Sequence, residues 1–155
     1  MKSDRGGLIL EGLPLPPSSN NQYKSFVRRG RIIHVRSPEL VKYRQDFDRW
    51  ALENAHGLGV ATDLLGVGAC EVEAFFGFSR DRLFTMAGGF KRLDVSNYLK
   101  AVHDCLATKL GVDDCAFFSV VAEKFAVDDP AKEQVIVRIS PFQPRNLADL
   151  EIVML

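Results

Sequence analysis

Residues 69–78, ACEVEAFFGF, place Val72, Ala74, Phe76 and Phe78 on one side of an extended chain and Glu71, Glu73, Phe75 and Gly77 on the other. A period of two with large apolar groups at every second position marks a strand that buries one face. The period then changes. Tyr98, Val102, Cys105, Leu106 and Leu110 form a helical stripe, and Gly111 ends it as a residue suited to the left-handed region. CAFFSVVAEKFAV and QVIVRIS read as two further strands, with Asp128-Asp129-Pro130 as the turn between them. A strand, a helix that must cover it, and more strands constrain the chain to a sheet with helices laid against it.

The N-terminal half fits the same plan. LILEGLP, 8–14, reads as a first strand, and LPPSSNNQY as a loop of extended proline backbone and small polar residues. SFVRRGRIIHV, 25–35, is apolar on both sides of a basic centre, which predicts a hairpin with Gly30 at positive φ and Arg28, Arg29 and Arg31 at its tip. Ser37-Pro38-Glu39 opens a helix whose buried face is Leu40, Tyr43, Phe47, Trp50 and Ala51. HGLGVATDLLGVG reads as a glycine-punctuated connection. The expected fold is α/β (α+β): a mixed sheet of about four to five strands with two main helices packed on it, in a single domain over residues 1–155.

No apolar run approaches the roughly 20 residues of a membrane span. The opening MKSDRGG lacks the apolar stretch of a secretory leader. Cys70, Cys105 and Cys115 have no zinc-site spacing and read as free buried thiols in a reducing cytoplasm. Net charge is zero, but its distribution is uneven: Lys24–Arg49 holds eight bases against three acids, and residues 80–92, RDRLFTMAGGFKR, hold four against one. Such asymmetry suits one face offered to a polyanion, although solvated helix and hairpin faces give the same count.

Three features could carry chemistry: Asp94 at the start of the second helical pattern, Lys100 one turn beyond Ser96 on its polar face, and Asp113-Asp114 just past Gly111. Hard cations such as Mg²⁺ need one or two carboxylates, completed by waters and substrate phosphate, and a lysine adds charge beside a phosphodiester. Each residue also has a structural reading. An aspartate at a helix start caps it, Lys100 and Asp104 form an i,i+4 pair, and Asp-Asp after a glycine makes a turn.

Taken together, three blocks resemble the RusA-like Holliday-junction resolvases, small dimeric endonucleases. LPLPPSSNNQY is similar to the family's proline-serine-asparagine segment. LDVSNYLKAVHDCL is similar to its Asp-x-Asp-Asn-x-x-Lys helix, and LGVDDCAFFSVVAEK to its glycine, Asp-Asp and strand ending in lysine. The resemblance implies a Mg²⁺- or Mn²⁺-dependent endodeoxyribonuclease that resolves four-way DNA junctions by paired nicks, as a homodimer. By position, Asp94, Lys100 and Asp114 are the catalytic set, and Asp94, Asp114 and Asp113 the metal ligands, with Asn97 on the family's asparagine. Arg28, Arg29, Arg31, Arg80, Arg82, Lys91 and Arg92 are the implied DNA contacts. One position departs: Ser96 stands where the family has its second aspartate. Three outcomes follow from this. Glu71 or Glu73 replaces the missing charge, or Asp94 and Asp114 hold the metal more weakly, or the protein binds junctions without cutting them.

Overall fold

The computed structural model describes residues 6–146. In chain order it contains β1 (Leu8–Leu13), β2 (Tyr23–Arg28), β3 (Arg31–Arg36), α1 (Pro38–Glu53), α2 (Ala55–Leu65), β4 (Cys70–Ser79), the one-turn helix α3 (Arg80–Leu83), α4 (Ser96–Leu110), β5 (Phe117–Val127) and β6 (Gln134–Pro141). The alternating stretch is the interior strand β4. It pairs parallel with β5 on one side and antiparallel with β6 on the other, and β1 completes a mixed sheet in the order β1-β6-β4-β5.

Residues paired across a sheet share a face, so register decides what is buried. Val72, Ala74 and Phe76 lie opposite Ile139, Val137 and Val135, and all six are buried. Three helices cover this face. Leu40, Tyr43, Phe47, Trp50 and Ala51 come from α1, Leu58, Ala61 and Leu65 from α2, and Tyr98, Ala101, Val102, Leu106 and Leu110 from α4. Aromatic edges knit the layers: Tyr98 lies 5.1 Å from Phe78, and Phe47 lies 5.3 Å from Trp50. Glu71, Glu73 and Phe75 necessarily point to the opposite side of the sheet.

The structure corrects several expectations. The segment read as a connection is helix α2. Its apolar positions Leu58, Ala61 and Leu65 keep helical spacing, and the core contacts they make outweigh the glycine penalty of about 1 kcal/mol each at Gly57 and Gly59. The helix ends at Gly66, at φ 58°. Of the cysteines, only Cys70 is buried; Cys105 is half-buried and Cys115 exposed. The apolar tail Leu150–Leu155 lies outside the described residues.

β2 and β3 form a separate two-stranded ribbon rather than part of the main sheet. Its two-residue turn, Arg29-Gly30, has φ of 52° and 74°, the positive pair that matches strand twist in a tight hairpin. Val27 and Ile32 on one face and Phe26 on the other remain well exposed. A lone ribbon of this kind is marginally stable in water. It is tied at its base, where the Ser37 N–H donates to the Gln22 carbonyl at 2.9 Å and the buried Ser37 hydroxyl caps α1 through the Leu40 N–H at 3.1 Å.

After β4 the chain enters the basic segment, which is ordered by its own contacts. Glu133 receives the Ser79 N–H and hydroxyl at 2.7 and 2.8 Å, and the Arg82 guanidinium at 3.0 Å. Arg82 also lies over the Phe78 ring, 4.8 Å from its centre. Beyond α3, Phe84 and Phe90 form an isolated antiparallel bridge with ring centres 6.0 Å apart. Thr85 closes the turn, its N–H donating to the Gly89 carbonyl at 2.8 Å and its hydroxyl accepting from the Gly89 N–H at 2.9 Å.

Phe76→Ala should lower unfolding free energy by about 3–5 kcal/mol in urea titration, and Phe75→Ala, on the other face, by clearly less. Burial pushes the Glu133 carboxyl up, but its bonds from Ser79 and Arg82 outweigh this and hold it below its ordinary value. A carboxylate lowered in the folded state stabilises fully above its unfolded value, and that stability is lost as pH falls through the folded one. Glu133→Gln should therefore cost about 1–3 kcal/mol at neutral pH. The gap from wild type should close on acidification below the ordinary glutamate value of 4.5.

Candidate active site

The buried stripe of α4 fixes which side chains face outward. Ser96 and Lys100 are exposed, and Asn97, His103 and Asp104 are half-buried along the flank. Lys100 donates to Asp104 at 3.0 Å, the expected i,i+4 pair. That bond, and the charges of Asp104 and then Asp114, raise the ammonium above its ordinary pKa, so it stays protonated at neutral pH.

At the N-terminus of the helix, Asp94 Oδ1 accepts from the Ser96 N–H at 3.0 Å and from the Ser96 hydroxyl at 2.8 Å. Its main-chain carbonyl accepts from the Asn97 N–H at 3.2 Å. Asp94 thus caps the helix while its exposed carboxylate remains open to solvent on one side. The Ser96 bonds, with the charge of Lys124 behind them, hold the carboxyl below its ordinary range. Lys124 comes from the edge strand β5 and donates to the Leu93 carbonyl at 2.8 Å. The sequence contained it as the lysine ending the third block, but spacing gave no reason to bring residue 124 beside residue 94.

Past Gly111, at φ 68°, the chain turns back along α4. The Phe117 ring meets His103 edge-on, 5.3 Å between centres. Asp114 is exposed on this return, and its charge acts through space on both Lys100 and His103. Burial lowers the His103 pKa and favours the neutral ring. The Asp113 carboxylate accepts from the Cys115 N–H at 2.9 Å and caps the short helical turn that follows. The N-terminal block joins the same flank, with the Ser19 hydroxyl donating to Asn97 Oδ1 at 3.0 Å. Tyr23, at the foot of the ribbon, adds to the field on Lys100.

Glu73 does not belong to this assembly. It pairs with Arg138 on the sheet face that the helices leave uncovered, and Glu71 accepts from the Ser119 hydroxyl at 2.8 Å on that face. The alternation that buries Val72 and Ala74 beneath the helices sends both glutamates the other way. Among the described residues, no three Asp, Glu, His or Cys side chains are gathered closely enough to cage a metal ion. Asp94 is exposed at the start of α4 and Asp114 is exposed on the return past Gly111. A hard cation that keeps most of its waters and takes substrate phosphate as a ligand needs only one or two such carboxylates.

The cations divide into two groups. Among the described residues, Arg28, Arg29, Arg31, Arg80, Lys91 and Arg92 are exposed and form no ion pair. Arg82 is instead committed to Glu133 and Phe78, inside the support of the basic loop. An open hollow of about 430 Å³ between loop and helix is lined by Lys91, Arg92, Leu93, Asp94 and Asn97, so loop cations and the first carboxylate share one surface.

No curated protein matches the sequence. Among solved structures, a 2C-methyl-D-erythritol 2,4-cyclodiphosphate synthase from Plasmodium vivax is similar over 86% of this chain and 95% of its own, at 13% identity and a TM-score of 0.31, a likeness too weak to argue from. The family profile described as Endodeoxyribonuclease RusA matches residues 14–140, a span that takes in Ser19, Asn97, Lys100, Asp114 and Lys124. With most of its length so matched, the chain belongs to the RusA endodeoxyribonuclease family, a family of nucleases acting on DNA junctions.

Proposed function

We propose that the chain, as one endonuclease unit over residues 1–155, is a Mg²⁺- or Mn²⁺-dependent endodeoxyribonuclease that nicks four-way DNA junctions as a homodimer in the cytoplasm. The observation that carries this reading is convergence. Three blocks distant in sequence come together around α4 and the segment leading into it: the Ser19 hydroxyl donates to Asn97, Lys124 donates to the Leu93 carbonyl, and the charge of Asp114 acts on Lys100 through space. No helix among the described residues is long and apolar enough to cross a membrane.

Asp94 and Asp114 would hold the cation, which when bound neutralises charge on the phosphodiester and makes water a better nucleophile. The protein's own groups do the rest. Lys100, kept protonated by Asp104, places a positive charge against the scissile phosphate. Ser96 and Lys124 fix the turn that presents Asp94. Arg28, Arg29 and Arg31 on the ribbon, with Arg80, Lys91 and Arg92 on the loop, contact phosphates along the arms of the junction, giving affinity with little base preference. Arg82 supports the loop from within. The ribbon's exposed apolar residues suit burial against a second copy, and two-fold symmetry matches two sites to two opposed strands.

One observation favours a second reading, that the protein binds junctions without cutting them. The Ser96 hydroxyl, at the position where the resemblance implies a second carboxylate, is spent as a donor to Asp94 and adds no negative charge.

A labelled four-way junction incubated with Mg²⁺ or Mn²⁺ separates the two. Wild type should nick it; Asp94→Asn and Lys100→Ala should each lose roughly 10²–10³-fold in rate, and Ser96→Asp should cut as well or better. Cutting by the first two at the wild-type rate rejects the assigned site. Binding that persists in EDTA, with no nicking in either metal, selects the second reading. Replacing Arg28, Arg29 and Arg31 together by Ala should flatten the salt dependence of junction affinity by roughly two to three units of slope, and weaken junction and duplex binding alike.

A further inference from the structure

Met86 and Phe90 are the outlying feature of the basic loop. Both side chains are almost wholly in solvent, at 108% and 87% relative exposure. Apolar groups this exposed are ordinary on a floppy loop, but this one is stapled. The Phe84–Phe90 bridge, the Thr85–Gly89 bonds and the Lys91 N–H to Leu83 carbonyl bond at 2.8 Å hold the turn. Lys91 Nζ donates to the Asp81 carbonyl at 2.5 Å, and Arg82 with Glu133 fixes the stem. The apolar tip is therefore presented in a set shape at little further entropic cost.

Its surroundings are cationic. Arg80 lies over the Phe84 ring, 5.4 Å from its centre, and Lys91 and Arg92 follow Phe90 directly. An open hollow of about 750 Å³ on the flank of the loop is lined by Arg80, Phe84, Met86 and Lys91 among others. Aromatic and thioether surface rimmed by unpaired cations suits a ligand that carries flat apolar faces on a polyanionic backbone. A protein partner has no need of that surplus of positive charge. Nucleic-acid bases with their stack interrupted meet the description, and apolar side chains inserted at base steps are a general means of engaging them.

Resting on the nuclease reading above, we propose that residues 84–90 form a base-stacking wedge. Met86 and Phe90 would lie against unstacked bases at the branch point, while Arg80, Lys91 and Arg92 hold the neighbouring phosphates. In an intact duplex the wedge must first break a stack, which costs a few kcal/mol per step. At a branch the stack is already interrupted. The device thus discriminates in favour of branched DNA, and it does so beside Asp94, because Arg92 and Leu93 join it to the helix start.

The test uses full-length protein in EDTA and a four-way junction with 2-aminopurine at the branch. Wild type should quench the fluorescence on binding, as the exposed base stacks on the tip. Met86→Ser with Phe90→Ser should abolish that quenching and weaken junction affinity by roughly tenfold or more, with duplex affinity unchanged. Met86→Ser alone, at a fully exposed position, should lessen the quenching without touching the fold, and Phe90→Trp should preserve it. Full quenching with the double variant, or equal losses on junction and duplex, overturns the wedge and leaves the nuclease reading standing. A changed oligomeric state with unchanged fluorescence would assign the tip to a second copy and also overturns it. Failure of wild type to bind any junction removes the nuclease reading, and the wedge with it.

Discussion

Helix α4 can lie on the sheet in only one rotation. Tyr98, Val102 and Leu106 must be underneath, against Phe76, Phe78 and the strands beside them, and turning the helix by a quarter would expose two aromatic contacts and bury Lys100. Every polar group that α4 itself gives to the candidate site takes its direction from that burial. Ser96, Asn97 and Lys100 stand along one flank because the stripe leaves them nowhere else, and the returning chain can meet them there only because Gly111 reverses its course. The chemistry is positioned by an apolar surface on which none of the acting groups sits.

Much of this was readable in the chain. Period-two alternation located β4, cap chemistry located the start of α1, and the arginine-rich tip was placed correctly by one glycine between two apolar runs. These signals are local, and local backbone preference agrees with the final fold. Helix α2 was hidden because Gly57 and Gly59 lower intrinsic helicity while the evidence for it, burial of Leu58 and Ala61, is tertiary. The direction of Glu73 followed from alternation, but which face the helices would cover depended on elements far along the chain. Asp113 and Asp114 could not be told apart by sequence either. The Asp113 carboxylate caps the turn that follows, while the charge of Asp114 acts on Lys100 through space.

The candidate residues could be named from the sequence, but their layout could not. Lys124 and Ser19 reach α4 from an edge strand and an N-terminal loop, contacts separated by tens of residues. Charge counting likewise treated the basic loop as one patch, whereas Arg82 is drawn into the protein by Glu133 from a different turn. A residue's net charge says nothing about whether that charge is spent inside the fold or left for a partner. Here the distinction separates a stem from a contact surface.

The parallel pairing of β4 with β5 has an architectural result. Parallel neighbours cannot be joined by a tight turn, so a long crossover is obligatory. In this chain the crossover comprises the basic loop, α4 and the Asp113-Asp114 return, that is, almost everything placed at the candidate site. Loop closure costs grow only logarithmically with added residues, and the loop is pinned at its neck by Phe84 and Phe90. The crossover is thus a cassette: its distal portion can be lengthened, shortened or recomposed without altering strand order. The groups placed at the candidate site can then vary while the scaffold beneath them keeps its strand order.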